Sequence, residues 1–273
     1  MKGEIIMILQ VSKKDTVELV NMSEQDYQAI RNYFIQKLND SPKKREAIAD
    51  TLIYAIQRCP SENISDLWHH VIYRTYISVD NGGNQFQSWV RASGDALEMF
   101  IAQAYNPALS EMGIRLVPLL KNKAQAMDRM GLSVVVSKSK LDVLIEKQGE
   151  RKGLLNGYGI LGGLHVKASL AERISDDVPA SRIMMQAGYT SILWTLDVKS
   201  NPPRDFTNRG EFGVPEKPTH KRDLIEERGD FNVCFSYNSR TVPSPKTTKS
   251  GRRIHTVNML ESPDAFIQYC AEL

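Results

Sequence analysis

Apolar positions recur at helical spacing through the first part of the chain. Tyr27, Ile30, Tyr33, Phe34 and Leu38 fall on one helical face, and Ser23 with Asp26 three residues on resembles an N-terminal cap. Pro42 breaks this run. Ile48, Leu52, Ile53 and Ile56 predict a second helix that stops before Pro60. A third helix starts at Ser65, and the glycine- and asparagine-bearing residues 80–84 read as a turn. A further helix is expected from about Gln85 through Tyr105. It buries Trp89, Leu97, Phe100 and Ile101, carries Glu98, and ends at Asn106-Pro107.

The period then changes. Residues 140–147 read as a strand with Asp142, Leu144 and Glu146 on one face. Residues 148–156 are polar and glycine-bearing, a hairpin-like connection. Residues 160–168 form a second strand, with Lys167 near its end. A helix opens with Asp177 at its cap position and Pro179 in its first turn, and Gly188 closes it. Residues 191–198 are an apolar, buried strand and residues 231–237 a later one. Helices first, then strand–hairpin–strand–helix–strand, predict an α/β sandwich-like core beneath an N-terminal helical layer. The expected division is a helical region over residues 1–80 and a core over residues 81–273, forming one continuous unit.

The chain has 273 residues, 41% hydrophobic and 25% charged, the profile of an ordinary globular protein. No apolar run reaches the ~20 residues that a membrane span needs. The first residues contain Glu4 and too short an apolar stretch for a signal peptide. Cys59, Cys234 and Cys270 are far apart and odd in number, so they suggest neither a metal pair nor a disulfide framework, and a reducing cytoplasm is the simplest setting. A net charge of +3 does not by itself demand a nucleic-acid partner. Residues 236–255 do concentrate charge, with Arg240, Lys246, Lys249, Arg252 and Arg253 and no acid; a solvated, partly mobile loop is the plain reading.

Gly157-Tyr158-Gly159-Ile160-Leu161-Gly162 matches GxGxxG. A dinucleotide site requires a helix to open at this loop, and the sequence continues as strand instead. The glycines are better suited to a turn and to close backbone approach. A small-molecule nucleotide enzyme remains a rival reading on this motif.

The stronger chemistry lies around Lys167. Hydrolysis of a phosphodiester needs neutralised phosphoryl oxygens and an activated water. Carboxylates that hold Mg2+ supply the first, and a nearby lysine can orient the water. Asp142 and Lys167 meet if their strands are neighbours, Asp177 reaches the same place from the next helix, and Glu98 approaches from the N-terminal layer. His165 more often packs or hydrogen-bonds than ligates, and His69-His70 lacks the HExxH pattern. Glu172-Arg173 suits base reading, since carboxylates accept from cytosine and arginine bonds guanine bidentately. The same pair could equally be a surface ion pair.

At Asp142, Lys167, Ser169 and Glu172-Arg173 the chain resembles type II restriction endonucleases that cut sites with a CCGG core, a group with the PD-(D/E)XK nuclease fold. Stretches such as residues 65–71, 87–91, 169–173, 179–185 and 235–238 extend the resemblance over nearly the whole chain. It implies a mixed central sheet flanked by helices. It also implies Mg2+-dependent cutting of double-stranded DNA, at ACCGGT after the first base, leaving 5′ overhangs. Asp142 and a displaced acid, Asp177 or its neighbour Asp176, would hold the metal, with Glu98 as an additional acid. Glu172 and Arg173 would read bases. A palindromic site implies a homodimer, and the activity implies a cognate DNA methyltransferase in a bacterial cytoplasm. His165 stands where the usual pattern has an acid, and no proline precedes Asp142. Leu170 replaces a common arginine, a role that Arg182 could take over. Ser169, Arg91, Lys199, Arg209, Arg252 and Arg253 are candidates for backbone contacts. The rival expectations are the same chemistry at WCCGGW and a DNA-binding relative that does not cleave.

Overall fold

The computed structural model describes residues 6–11, 13–14, 16–79, 84–133, 141–171, 174–198 and 210–273. A short antiparallel hairpin, β1 (Met7–Gln10) with β2 (Thr16–Leu19), precedes the helical layer. Helix α1 (Glu24–Asp40) begins where the Ser23 hydroxyl accepts the Asp26 amide, and it buries Ile30, Phe34 and Leu38. Helix α2 (Lys44–Arg58) follows. The third predicted helix is α3 (Ile64–Asp66), continuing through a π-helical segment (Leu67–Tyr73) into α4 (Arg74–Ser78). His69 and His70 are buried there, His69 stacked on Tyr73, so their role is packing. Most of the predicted turn, residues 80–83, lies outside the described residues.

Helix α5 (Gln85–Ser110) runs on past Asn106-Pro107 rather than ending there. The Asn106 side chain reaches across to the next strand, where its amide donates to the Leu116 carbonyl and its oxygen accepts the Leu116 amide. This ties the helix to β3 (Ile114–Pro118). Then come α6 (Lys123–Met130), β4 (Val143–Gln148), β5 (Tyr158–Lys167), α7 (Ile174–Gln186) and β6 (Thr190–Thr195). The chain closes with a two-residue hairpin β7 (Gly213–Val214) and β8 (Lys217–Pro218), α8 (His220–Glu226), β9 (Val233–Ser236), β10 (Ile254–Thr256) and α9 (Ala265–Ala271).

Six strands form one mixed sheet in the order β10-β9-β6-β5-β4-β3. The β3, β4 and β5 pairings are antiparallel, and β5, β6, β9 and β10 run parallel. Strand side chains alternate between two faces. Val143 and Ile145 of β4, and Ile192 and Trp194 of β6, join the core that contains Ile30, Leu52 and Ile101 of the helical layer. Leu144 points to a second core with Met127 and Met130 of α6, and Leu193 to a third with Ile174 and Val178 of α7. Among the described residues, no helix is long and apolar enough to cross a membrane.

The glycine motif lies in the turn before β5 and in the strand itself, so no helix opens at it. A Cβ on Gly162 would collide with the Thr190 carbonyl of β6, and one on Gly163 with the Leu141 side chain. Close strand packing is what these glycines permit. The basic residues 236–255 are tied down, against the reading of a mobile loop: Arg240 pairs with buried Asp66 at 2.6 Å, and Arg222 donates to the Val242 carbonyl.

Candidate active site

The start of β4 and the end of β5 are neighbours because the two strands are antiparallel. That pairing carries Asp142, the residue just ahead of β4, to Lys167, the last residue of β5. The backbone fixes Asp142 on both sides, since its amide donates to Leu164 and its carbonyl accepts from Leu119. The Val166 amide donates to its carboxylate at 2.8 Å.

Five charged side chains then alternate in sign. Glu98 Oε1 of α5 lies 3.5 Å from Lys123 Nζ, and Lys123 Nζ lies 2.5 Å from Asp142 Oδ1. Asp142 Oδ2 lies 3.2 Å from Lys167 Nζ, which in turn lies 2.7 Å from Asp177 Oδ2 in the first turn of α7. Asp142 is the shared acid at the centre of this row. Burial alone would raise its carboxyl, but Lys167 and Lys123 outweigh burial and hold it below the usual carboxylate range. Burial would likewise depress Lys167, yet Asp142 and Asp177 keep its ammonium charged. Glu98 has less help. Burial pushes it up to about 7, against the pull of Lys123.

Glu98, Lys123, Asp142 and Lys167 open on a cleft of about 520 Å³ that Arg91 and Ser169 also line. Asp177 does not line it. Only 1% exposed, Asp177 stands behind Lys167, and His165 lies 3.8 Å from its carboxylate. Asp177 sits inside α7 rather than at its cap, and Lys167 Nζ bridges its carboxylate and that of Asp142. Asp176 is exposed, so Asp177 is the acid that faces the lysine. His165 is fully buried, hydrogen-bonded to Ser191 at 3.1 Å and edge-on to Phe231, a packing role.

Past Lys167 the chain is gripped by a residue that the sequence reading missed. Glu211 accepts from the Ser169 hydroxyl at 2.6 Å and the Leu170 amide at 2.8 Å, and it pairs with Lys221. Ser169 is thus engaged within the protein. Arg182 is paired to buried Asp230 at 2.5 Å, apart from the charged row. Arg252 is exposed and Arg253 half-buried. Glu172, Arg173, Lys199 and Arg209 lie outside the described residues. Lys123 was also missed; no local pattern marks it.

The donor set suits a hard divalent cation, which takes carboxylate oxygens. Among the described residues no group of three or more acidic, histidine or cysteine side chains is preassembled for a metal. The structure instead has carboxylates from separate elements converging on an ammonium, a stand-in for such an ion.

A strand-start aspartate thus stands against a strand-end lysine, at the junction of the antiparallel and parallel halves of the mixed sheet. Residues 118–263 match the family described as BsaWI restriction endonuclease type 2, and the chain belongs to the type II restriction endonucleases. It is 50% identical over 258 residues to the type II restriction enzyme AgeI of Thalassovita gelatinovora, covering 93% of each chain. Its fold matches the solved specific complex of AgeI with DNA at a TM-score of 0.92 and 47% identity, over 98% of this chain and 99% of that one. The resemblance and the mixed-sheet fold read from the sequence both hold.

Proposed function

We propose that the protein makes Mg2+-dependent double-strand cuts at ACCGGT after the first base, leaving 5′ overhangs. The observation that carries this reading is the alternating row Glu98–Lys123–Asp142–Lys167–Asp177 on the wall of an open cleft, in a chain half identical to AgeI. Glu98 and Asp142, which face the cleft, would hold the metal; bound there, it supplies charge neutralisation at the scissile phosphate. Lys167, pinned by Asp142 and Asp177, orients the attacking water and stabilises charge developing on the phosphoryl oxygens. Water oxygen bonds to phosphorus in line with the departing 3′ oxygen, which takes up a proton. The products are 5′-phosphate and 3′-hydroxyl ends. Glu172 and Arg173, five and six residues after Lys167, read the C and G bases. Arg91 on the cleft wall contacts the DNA backbone, and Arg252 and Arg253 are further candidates.

A palindromic site calls for a symmetric pair of subunits, so the enzyme acts on double-stranded DNA as a homodimer. This reading puts it in a bacterial cytoplasm, with a cognate DNA methyltransferase protecting the host's own sites.

The test is digestion of a plasmid of known sequence with Mg2+, followed by sequencing of the ends. Discrete fragments beginning at CCGGT support the reading. Cutting with other flanks, as at WCCGGW, moves the flanking specificity alone. Uncut or randomly degraded DNA overturns it, and specific binding without cutting identifies a non-cleaving relative.

A further inference from the structure

We infer that Lys123 is a built-in counter-ion of the cutting centre, holding Glu98 and Asp142 together until a divalent cation displaces it. The inference rests on the reading above that these two acids hold the metal. Lys123 Nζ contacts both carboxylates, at 3.5 and 2.5 Å. Both acids are buried, and they come from α5 and from the lead into β4. Two buried carboxylates with no cation between them repel strongly, so one ammonium removes a penalty that neither acid can relieve alone.

The chain is shaped to deliver that ammonium. Asn122 closes a tight turn onto the Leu119 carbonyl, and Leu120 adopts a left-handed φ of 40°. In this conformation the Leu120 amide donates to Glu98 Oε2 at 3.0 Å. The turn that grips Glu98 therefore also starts α6 at Lys123. The two lysines of the row differ in freedom. Both line the cleft, but Lys167 is 15% exposed and is held by Asp142 and the deeply buried Asp177, whereas Lys123 is 30% exposed and is held by Asp142 and Glu98 on the cleft wall. Lys123 has a way out.

The row carries three acids and two lysines. A divalent cation entering beside Asp142 meets Lys123 in the position it needs, and like charges at that range exclude each other. The displaced ammonium swings into the cleft. There a DNA phosphate offers it a new partner, which couples loading of the metal to the presence of DNA.

The experiment is calorimetric titration of the full-length protein with Mn2+, without DNA. Lys123→Met is expected to bind Mn2+ about tenfold more tightly than the wild type. It is also expected to melt at a lower temperature in EDTA, with Mn2+ restoring the loss. Lys123→Arg, which keeps the charge, is expected to bind like the wild type. Lys123→Gln, which keeps hydrogen bonding without charge, stands in if Lys123→Met fails to fold. Equal or weaker Mn2+ binding by a folded neutral variant overturns the inference, as does absence of binding in both proteins. Failure of the underlying reading looks different: Asp142→Asn would then bind Mn2+ as well as the wild type does.

Discussion

Lys167 at the end of β5 is ion-paired at 2.7 Å to Asp177 in the first turn of α7, so this lysine is anchored from behind by the helix that follows it. Removal of the lysine leaves Asp177 buried without this partner. Lys167→Ala is expected to abolish cleavage, retain specific DNA binding in a gel shift, and lose about 3–5 kcal/mol of stability by thermal or urea melting. Unchanged cutting by this variant would sink the assignment of Lys167.

The Glu211 carboxylate ties Ser169 and Leu170 to the lead into the β7–β8 hairpin, immediately ahead of Glu172-Arg173. Glu211→Ala frees that passage and leaves Lys221 without this partner. Binding to the cognate site is expected to weaken by about 5- to 150-fold, following the loss of about 1–3 kcal/mol from one charge-assisted hydrogen-bond set, while non-specific binding changes little. Equal weakening on cognate and unrelated DNA would show that Glu211 has no part in reading.

Asp197 gives a pH signature away from the charged row. Burial pushes its carboxyl up to about 7, and its oxygens accept from the Glu211 amide and the Thr241 hydroxyl. The folded-state pKa lies above the unfolded value, so this stability is fully present below about pH 4 and is lost as pH rises through about 7. The loss is on the order of 4 kcal/mol across that window. Urea denaturation from pH 5 to 8 is expected to show this decline. Asp197→Asn is expected to flatten it, and an equally steep decline in the variant would exclude Asp197 as its source.

Gly162 packs β5 against the Thr190 carbonyl of β6 with no room for a Cβ. Gly162→Ala forces the two strands apart, at a cost of about 3 kcal/mol in chemical denaturation. A variant as stable as the wild type would show that the strands have slack here.

Asp142 and Lys167 were legible because a charge in an apolar strand needs a reason, and Asp177 because it follows at the start of an amphipathic helix. Their meeting required only the antiparallel pairing of β4 with β5. Lys123 and Glu211 were not legible. Each is an ordinary charged residue, and only the folded chain brings it to its carboxylate or amide partners. The same limit explains Pro107, which a helix tolerates in its last turn. The hairpin of β1 and β2 escaped notice because four-residue strands carry too few alternations to register.

The alternating row draws on α5, α6, the lead into β4, β5 and α7, five segments spread over residues 98–177. None carries the chemistry alone. A chain emerging from the ribosome and complete only through β5 has its lysine but lacks the Asp177 anchor, and a frayed chain loses the row at whichever segment departs. Under the role proposed for this row, hydrolytic competence is reserved for the finished fold.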